Sequence, residues 1–167
     1  MSSWGKAFEA SSLVKDGVEE IDLMPNVGFL LSGMEREYFA DIQKVVQGAK
    51  GIPIKIMLEL PLLNEALRER AVQLNIETGI AYLKNASSGA VGSATPEQIR
   101  WLRQGAPTHV GIKASGGIKR AQQVRELLNA GADLVGTSAG SQIMQELGGS
   151  PLIRARTRYR TTNVGGY

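Results

Sequence analysis

The sequence predicts an α/β fold built on a parallel sheet, part of a (βα)8 barrel with about five βα units. Three observations carry this. Short apolar runs alternate with amphipathic helical stretches along the whole chain, the pattern of a parallel sheet covered by its own crossovers. No strand is followed by a GxGxxG or GxxxxGK[ST] loop, which argues against dinucleotide or P-loop sheets. The run "IPIKIMLEL" puts Ile54, Ile56 and Leu58 on one face and Lys55, Met57 and Glu59 on the other. Charges on a central strand need a shared polar interior, which a barrel lumen offers more readily than a doubly wound sheet.

The elements follow in order. "GKAFEASSLVKDG" carries Ala7, Phe8, Leu13 and Val14 on a helical stripe and ends at Gly17. "EEIDLMPN" is a short strand closed by Pro25 and Asn26. "MEREYFADIQKVVQGAKG" returns to helical spacing through Tyr38, Ile42, Val45 and Val46, and "IPIKIMLEL" is a strand that stops at Pro61. "NEALRERAVQLNIETG" is a helix with Asn64 as its cap. "IAYLK" is a strand, and "TPEQIRWLRQG" opens a helix with a Thr cap, Pro96 in the first position and Glu97 in the first turn. "HVGIK" is a strand, "KRAQQVRELLNAG" a helix, "ADLVGTSAG" a strand and its exit, and "SQIMQEL" a helix. The expected strands lie at 19–24, 53–60, 79–84, 109–113 and 133–137.

Composition narrows the function. The chain has 167 residues, 43% hydrophobic and 21% charged, enough for one domain with a sizeable core. It has no cysteine, which excludes disulfides and thiolate metal sites. Its single histidine, His109, reads as a surface residue at a strand start, and excludes His-rich metal sites. There is no apolar run of membrane-spanning length and no signal-peptide pattern at the start, so a cytoplasmic protein is expected. The net charge of +3 is uneven: Arg154, Arg156, Arg158 and Arg160 all fall in the last stretch, and the rest is close to neutral. The chain therefore divides into a barrel domain, 1–150, and a basic tail, 151–167. The tail reads as a solvated or partner-packed extension rather than a nucleic-acid contact.

Lysines end two successive strands, Lys84 in "IAYLKNASSG" and Lys113 in "VGIKASGG", and small-residue turns follow both. One such lysine usually snorkels to solvent. Two at matching places suggest a site, with Asp22 and Lys55 on neighbouring strands. An amine attacks a carbonyl only when uncharged, and burial or a neighbouring cation favours that form. The Gly/Ser turns "ASGG" and "GTSAG" offer backbone N–H groups to a phosphate, the more so where a helix begins just after them.

Taken together, these segments resemble deoxyribose-phosphate aldolase, a class I, Schiff-base aldolase. "KAFEASSLVKDGVEEIDLMPNVG" looks like the family's helix and "DEID…N.G" strand, and "IKIMLELPLL" like its "LKVILETGLL" segment. "YLKNASSGAVGSAT" keeps the spacing of "VKTSTGF…GGAT", while "VGIKASGGI" and "GADLVGTSAG" are near-identical to family strings. The resemblance runs over roughly residues 5 to 147 in one register.

It implies that Lys84 is the Schiff-base lysine, Lys113 the second lysine beside it and Asp22 the carboxylate of the proton relay. Lys55 would lie near the substrate hydroxyls, with Ser87, Gly116, Gly117 and Ser138 holding the rest of the substrate and its phosphate. It implies no metal and no cofactor. The implied reaction is reversible cleavage of 2-deoxy-D-ribose 5-phosphate to acetaldehyde and D-glyceraldehyde 3-phosphate. The blander readings make Lys55 a structural partner of Glu59, Ser138 a helix cap, and Trp4 and Trp101 packing residues.

Two departures matter. Asn85, Ala86, Ser87 and Ser88 replace the family's Thr-Ser-Thr-Gly, and Leu60 and Pro61 replace Thr-Gly. If the glycine replaced by Ser88 needed a positive φ, serine there would cost about 1 kcal/mol. The chain also reads as N-terminally truncated relative to the family, with the first three barrel strands missing. Five strands cannot close an eight-stranded barrel, so a homo-oligomer that covers the open sheet is expected. The competing reading is a non-catalytic paralogue or fragment acting as a binding or assembly subunit.

Overall fold

The computed structural model describes residues 1–148; the basic tail read at 151–167 lies outside them. Five parallel strands form one sheet in the order β1-β2-β3-β4-β5: β1 (Ile21–Leu23), β2 (Ile54–Met57), β3 (Tyr82–Lys84), β4 (Gly111–Ser115) and β5 (Leu134–Gly136). Each strand pairs with the next in sequence, without the reversal of order that defines a doubly wound sheet. This is singly wound barrel topology, a partial (βα)8 barrel.

The helices are α1 (Ser3–Lys15), α2 (Val27–Leu31), α3 (Glu35–Gly48), α4 (Glu65–Glu77), α5 (Pro96–Gly105), α6 (Ala121–Asn129) and α7 (Gly140–Glu146). Two of the expected caps form: Asn64 Oδ1 accepts the Leu67 N–H at 2.9 Å, and Thr95 Oγ1 accepts that of Gln98 at 3.3 Å. The core lies between the sheet's outer face and the helices. Ile21, Leu23, Ile54, Ile56, Leu83 and Ile112 point into it, alternating with the residues of the inner face.

At the other end of the chain, α1 packs closely on α3. A Cβ on Gly48 would come within 2.6 Å of the Ala7 carbonyl oxygen, and Ser11 Oγ donates to Gly48 O across the contact. Phe8, on the apolar stripe of α1, is 76% exposed. Trp4, read as a packing residue, is 74% exposed, with Lys44 Nζ 4.9 Å from its ring centroid. The approach at Gly48 turns the Ala7–Ala10–Ser11 side of the helix inward, and the aromatic side therefore faces out. Trp101 does pack against the core.

Candidate active site

The register explains how distant residues meet. Asp22 lies opposite Lys55, and Lys84 opposite Lys113, so the polar members of four strands share the inner face. Space is made for them by glycines. A Cβ on Gly111 would fall 2.2 Å from the Tyr82 ring, so only glycine lets that ring lie on the inner face. Lys55 Nζ sits 5.8 Å from the Tyr82 ring centroid, and the Lys113 stem lies against Gly136.

Asp22 is the hub. Its Oδ2 accepts from Lys84 Nζ at 3.1 Å and from Lys113 Nζ at 2.8 Å, and its Oδ1 accepts from Lys113 at 3.1 Å. Lys55 Nζ lies 3.7 Å from Oδ1 and donates to Glu20. The Lys84 side chain is only 9% exposed, while Asp22 keeps a third of its surface open. Burial opposes ionisation of Asp22, but the hydrogen bonds from Lys113 and Lys84, with their charges, outweigh it. The carboxyl is held below its ordinary range.

Beyond the lysines opens a cleft of about 700 Å³, lined by Lys84 and Lys113 together with Ser87, Gly116, Gly117 and Ser138. Gly116 and Gly117 have φ of 104° and 67°. Any side chain there would strike Gly92 O or Ser93 Oγ, because the turn after β4 packs directly on the loop after β3. The backbone bond from Ala94 N–H to Gly116 O, 2.9 Å, ties the two together. Ser88 is not among the residues of positive φ, so the loss of a glycine at that position carries no backbone strain.

Several expectations are corrected. Lys55 does not line the cleft; it is buried beside Asp22 and Glu20. Nor does it pair with Glu59, which sits in the left-handed region at φ 54° and accepts the Ser87 N–H at 2.7 Å. Ser138 does not cap α7: Thr137 Oγ1 takes the Ala139 N–H, leaving Ser138 exposed on the cleft wall. Three of the N–H groups at the start of α6 are already taken within the chain. Ala121 N–H is taken by Glu146 Oε2, and the N–H groups of Lys119 and Arg120 by Gln123 Oε1.

Lys119, Ser93 and Thr137, which no sequence motif above singles out, also line the cleft. Lys119 was findable as the first cation after the glycine pair. Asn85 was noted only as a departure from the family. It is fully buried and bonds both backbone groups of Ser115.

No family model matches the sequence. A deoxyribose-phosphate aldolase from a Geobacillus species is 37% identical over 141 residues, covering 84% of this chain and 63% of the relative. Another from Methanothermobacter thermautotrophicus is 36% identical over 141 residues, covering 84% and 62%. The solved deoxyribose phosphate aldolase of Aeropyrum pernix, described as having a unique tetrameric structure, superposes with a TM-score of 0.79 at 26% identity. That match covers 89% of this chain and 63% of that one. The strand order, the lysine pair at matching strand ends and these relatives agree: over 84% of its length the chain is similar to deoxyribose-phosphate aldolases, and it spans less than two thirds of the length of the curated relatives it matches.

Proposed function

We propose that the chain carries the imine-forming site of a deoxyribose-phosphate aldolase, with Lys84 as nucleophile. The observation that supports this is the sharing of one Asp22 oxygen by the Lys84 and Lys113 ammonium groups at the mouth of a cleft. Lys84, uncharged, adds to the carbonyl carbon of acetaldehyde, and loss of water leaves a protonated imine. The imine withdraws the electron pair as a methyl proton leaves, giving an enamine. The enamine carbon then bonds to the aldehyde carbon of glyceraldehyde 3-phosphate, and hydrolysis frees Lys84 with deoxyribose 5-phosphate. Asp22 and Lys113 exchange the protons. Ser87, Ser138, the Gly116–Gly117 turn and Lys119 hold the phosphate end.

Acetaldehyde with borohydride tests this by fixing a two-carbon adduct. The adduct is expected on Lys84 and absent in Lys84→Arg. Lys113→Leu removes the cation beside Lys84 and the lysine with which it shares Asp22 Oδ2, so labelling at neutral pH slows. Labelling spread over surface lysines would refute the site.

The chain also works as a homo-oligomer in this reading. Trp4 and Phe8 are exposed on α1, as is Met1 just before it, and β1 is the first strand of the open sheet. A monodisperse monomer in sedimentation would count against it.

A further inference from the structure

Resting on the imine reading above, we propose that Asn85 is a positioning residue, whose buried amide splices the ends of β3 and β4 and so holds Lys84 beside Lys113. The last registered pair between these strands is Lys84 with Lys113. Immediately beyond it the backbone separates: the Asn85 N–H reaches Lys113 O only at 3.4 Å, and the chain turns away into the cleft loop. The Asn85 side chain supplies the next rung instead. Its Oδ1 accepts the Ser115 N–H at 2.8 Å, and its Nδ2 donates to Ser115 O at 3.0 Å. An amide bonded to both groups of one residue satisfies the donor and the acceptor that a partner strand would otherwise take.

The same segment is pinned on its other flank. Leu60 N–H donates to Asn85 O at 3.0 Å, and Glu59 Oε1 accepts the Ser87 N–H. Gln98 Oε1, from α5, lies 3.4 Å from Asn85 Nδ2. The residue directly after the nucleophile is thus bonded to β4, to the turn after β2 and to α5, with no exposed surface. This fixes the two lysine backbones, and the shared Asp22 contact depends on that spacing. Displacements near 1 Å at reacting groups cost up to about 100-fold in rate.

The experiment measures the rate of borohydride-trapped acetaldehyde labelling at Lys84 by peptide mass spectrometry. It compares wild type, Asn85→Leu and Asn85→Thr, each with and without Lys113→Leu. Leucine has the size but neither bond, and labelling is expected to fall about 10- to 100-fold. Threonine, with one hydroxyl that both donates and accepts, is expected to recover most of the rate. In the Lys113→Leu background, Asn85→Leu is expected to add little, because the spacing it protects no longer matters; such non-additivity separates positioning from general stabilisation. Should Asn85→Leu fail to fold, Asn85→Asp replaces it, keeping the acceptor and losing the donor.

A folded Asn85→Leu variant, or Asn85→Asp where it stands in, that labels Lys84 at the wild-type rate overturns the proposal. So does an equal loss in both backgrounds. Failure of wild type itself to label at Lys84 refutes the imine reading instead. Hydrogen exchange at the Ser115 N–H then still shows whether the splice exists: protection in wild type that Asn85→Leu abolishes supports it, and its absence refutes it.

Discussion

Asp22→Asn removes the one carboxylate shared by three lysines and keeps the side chain's shape. In wild type, Asp22 bonds Lys84 at 3.1 Å and Lys113 at 2.8 Å, and Lys55 lies 3.7 Å away. Breaking a fully buried pair costs about 3–5 kcal/mol, and an exposed one about 0–1. Asp22 is a third exposed and loses two hydrogen-bonded partners, which places the loss near 2 kcal/mol. For a chain of this size that is a fall of about 4–8 °C in Tm.

The pH dependence identifies the cause. The folded state holds the Asp22 carboxyl below its ordinary range, so its contribution is present in full above the unfolded pKa of about 4. It is lost as pH falls through the folded value, because the protonated acid then resembles the asparagine. Urea unfolding followed by circular dichroism from pH 2 to pH 7 is therefore expected to show two curves that converge at the acid end. A gap of constant size across that range would refute the assignment of the stability to the carboxylate charge.

Gly111→Ala is expected to destabilise by about 1–3 kcal/mol, since its Cβ would lie 2.2 Å from the Tyr82 ring; adding Tyr82→Val should recover most of the loss in urea melts. Gly116→Ala combines a φ of 104° with a Cβ 2.4 Å from Gly92 O, so calorimetric titration with inorganic phosphate should show weakened binding at the cleft. Burial pushes the Tyr38 hydroxyl up to about 12, against the hydrogen bond from Asn75. Its share of stability is complete below pH 10 and disappears as pH rises towards 12, and Tyr38→Phe should flatten the melting curve over that interval.

The order and type of the βα units were legible because each strand's apolar run and each helix's stripe and cap agree on one arrangement. Boundaries were less so. The apolar run 53–60 suggested a strand to Leu60, but Glu59 adopts a left-handed conformation, so the ladder stops at Met57 and a 3₁₀ turn, Leu60–Leu62, follows. β4 begins two residues later than expected because the Val110 N–H closes a turn on Pro107 O, and it runs on to Ser115. The short helix α2 was invisible in "MPNVGFLLSGM", where Pro, Asn and Gly read as loop. Burial of Leu30 holds it, a tertiary effect that local spacing does not announce.

Asp22, Lys84 and Lys113 were legible for a different reason: period-two alternation forces a charge at a strand end onto one of two faces, and parallel pairing puts matching ends side by side. The same rule misassigned Glu59. Alternation aims it with Lys55, yet the left-handed residue rotates the chain and delivers the carboxylate to Ser87 instead. Its buried Oε2 has no hydrogen-bond partner, so the geometry is held by the segment it anchors and not by its own satisfaction. Asn85 was harder still. Nothing in the string "LKNASSG" distinguishes a turn asparagine facing solvent from one whose amide completes a ladder. The distinction lies in Ser115, 30 residues away, whose two backbone groups would otherwise be buried without partners on that side. The lysine cluster thus reads directly from the strands, while the contacts that hold the strand ends beside it lie in backbone accounting across strands, which only the folded chain displays.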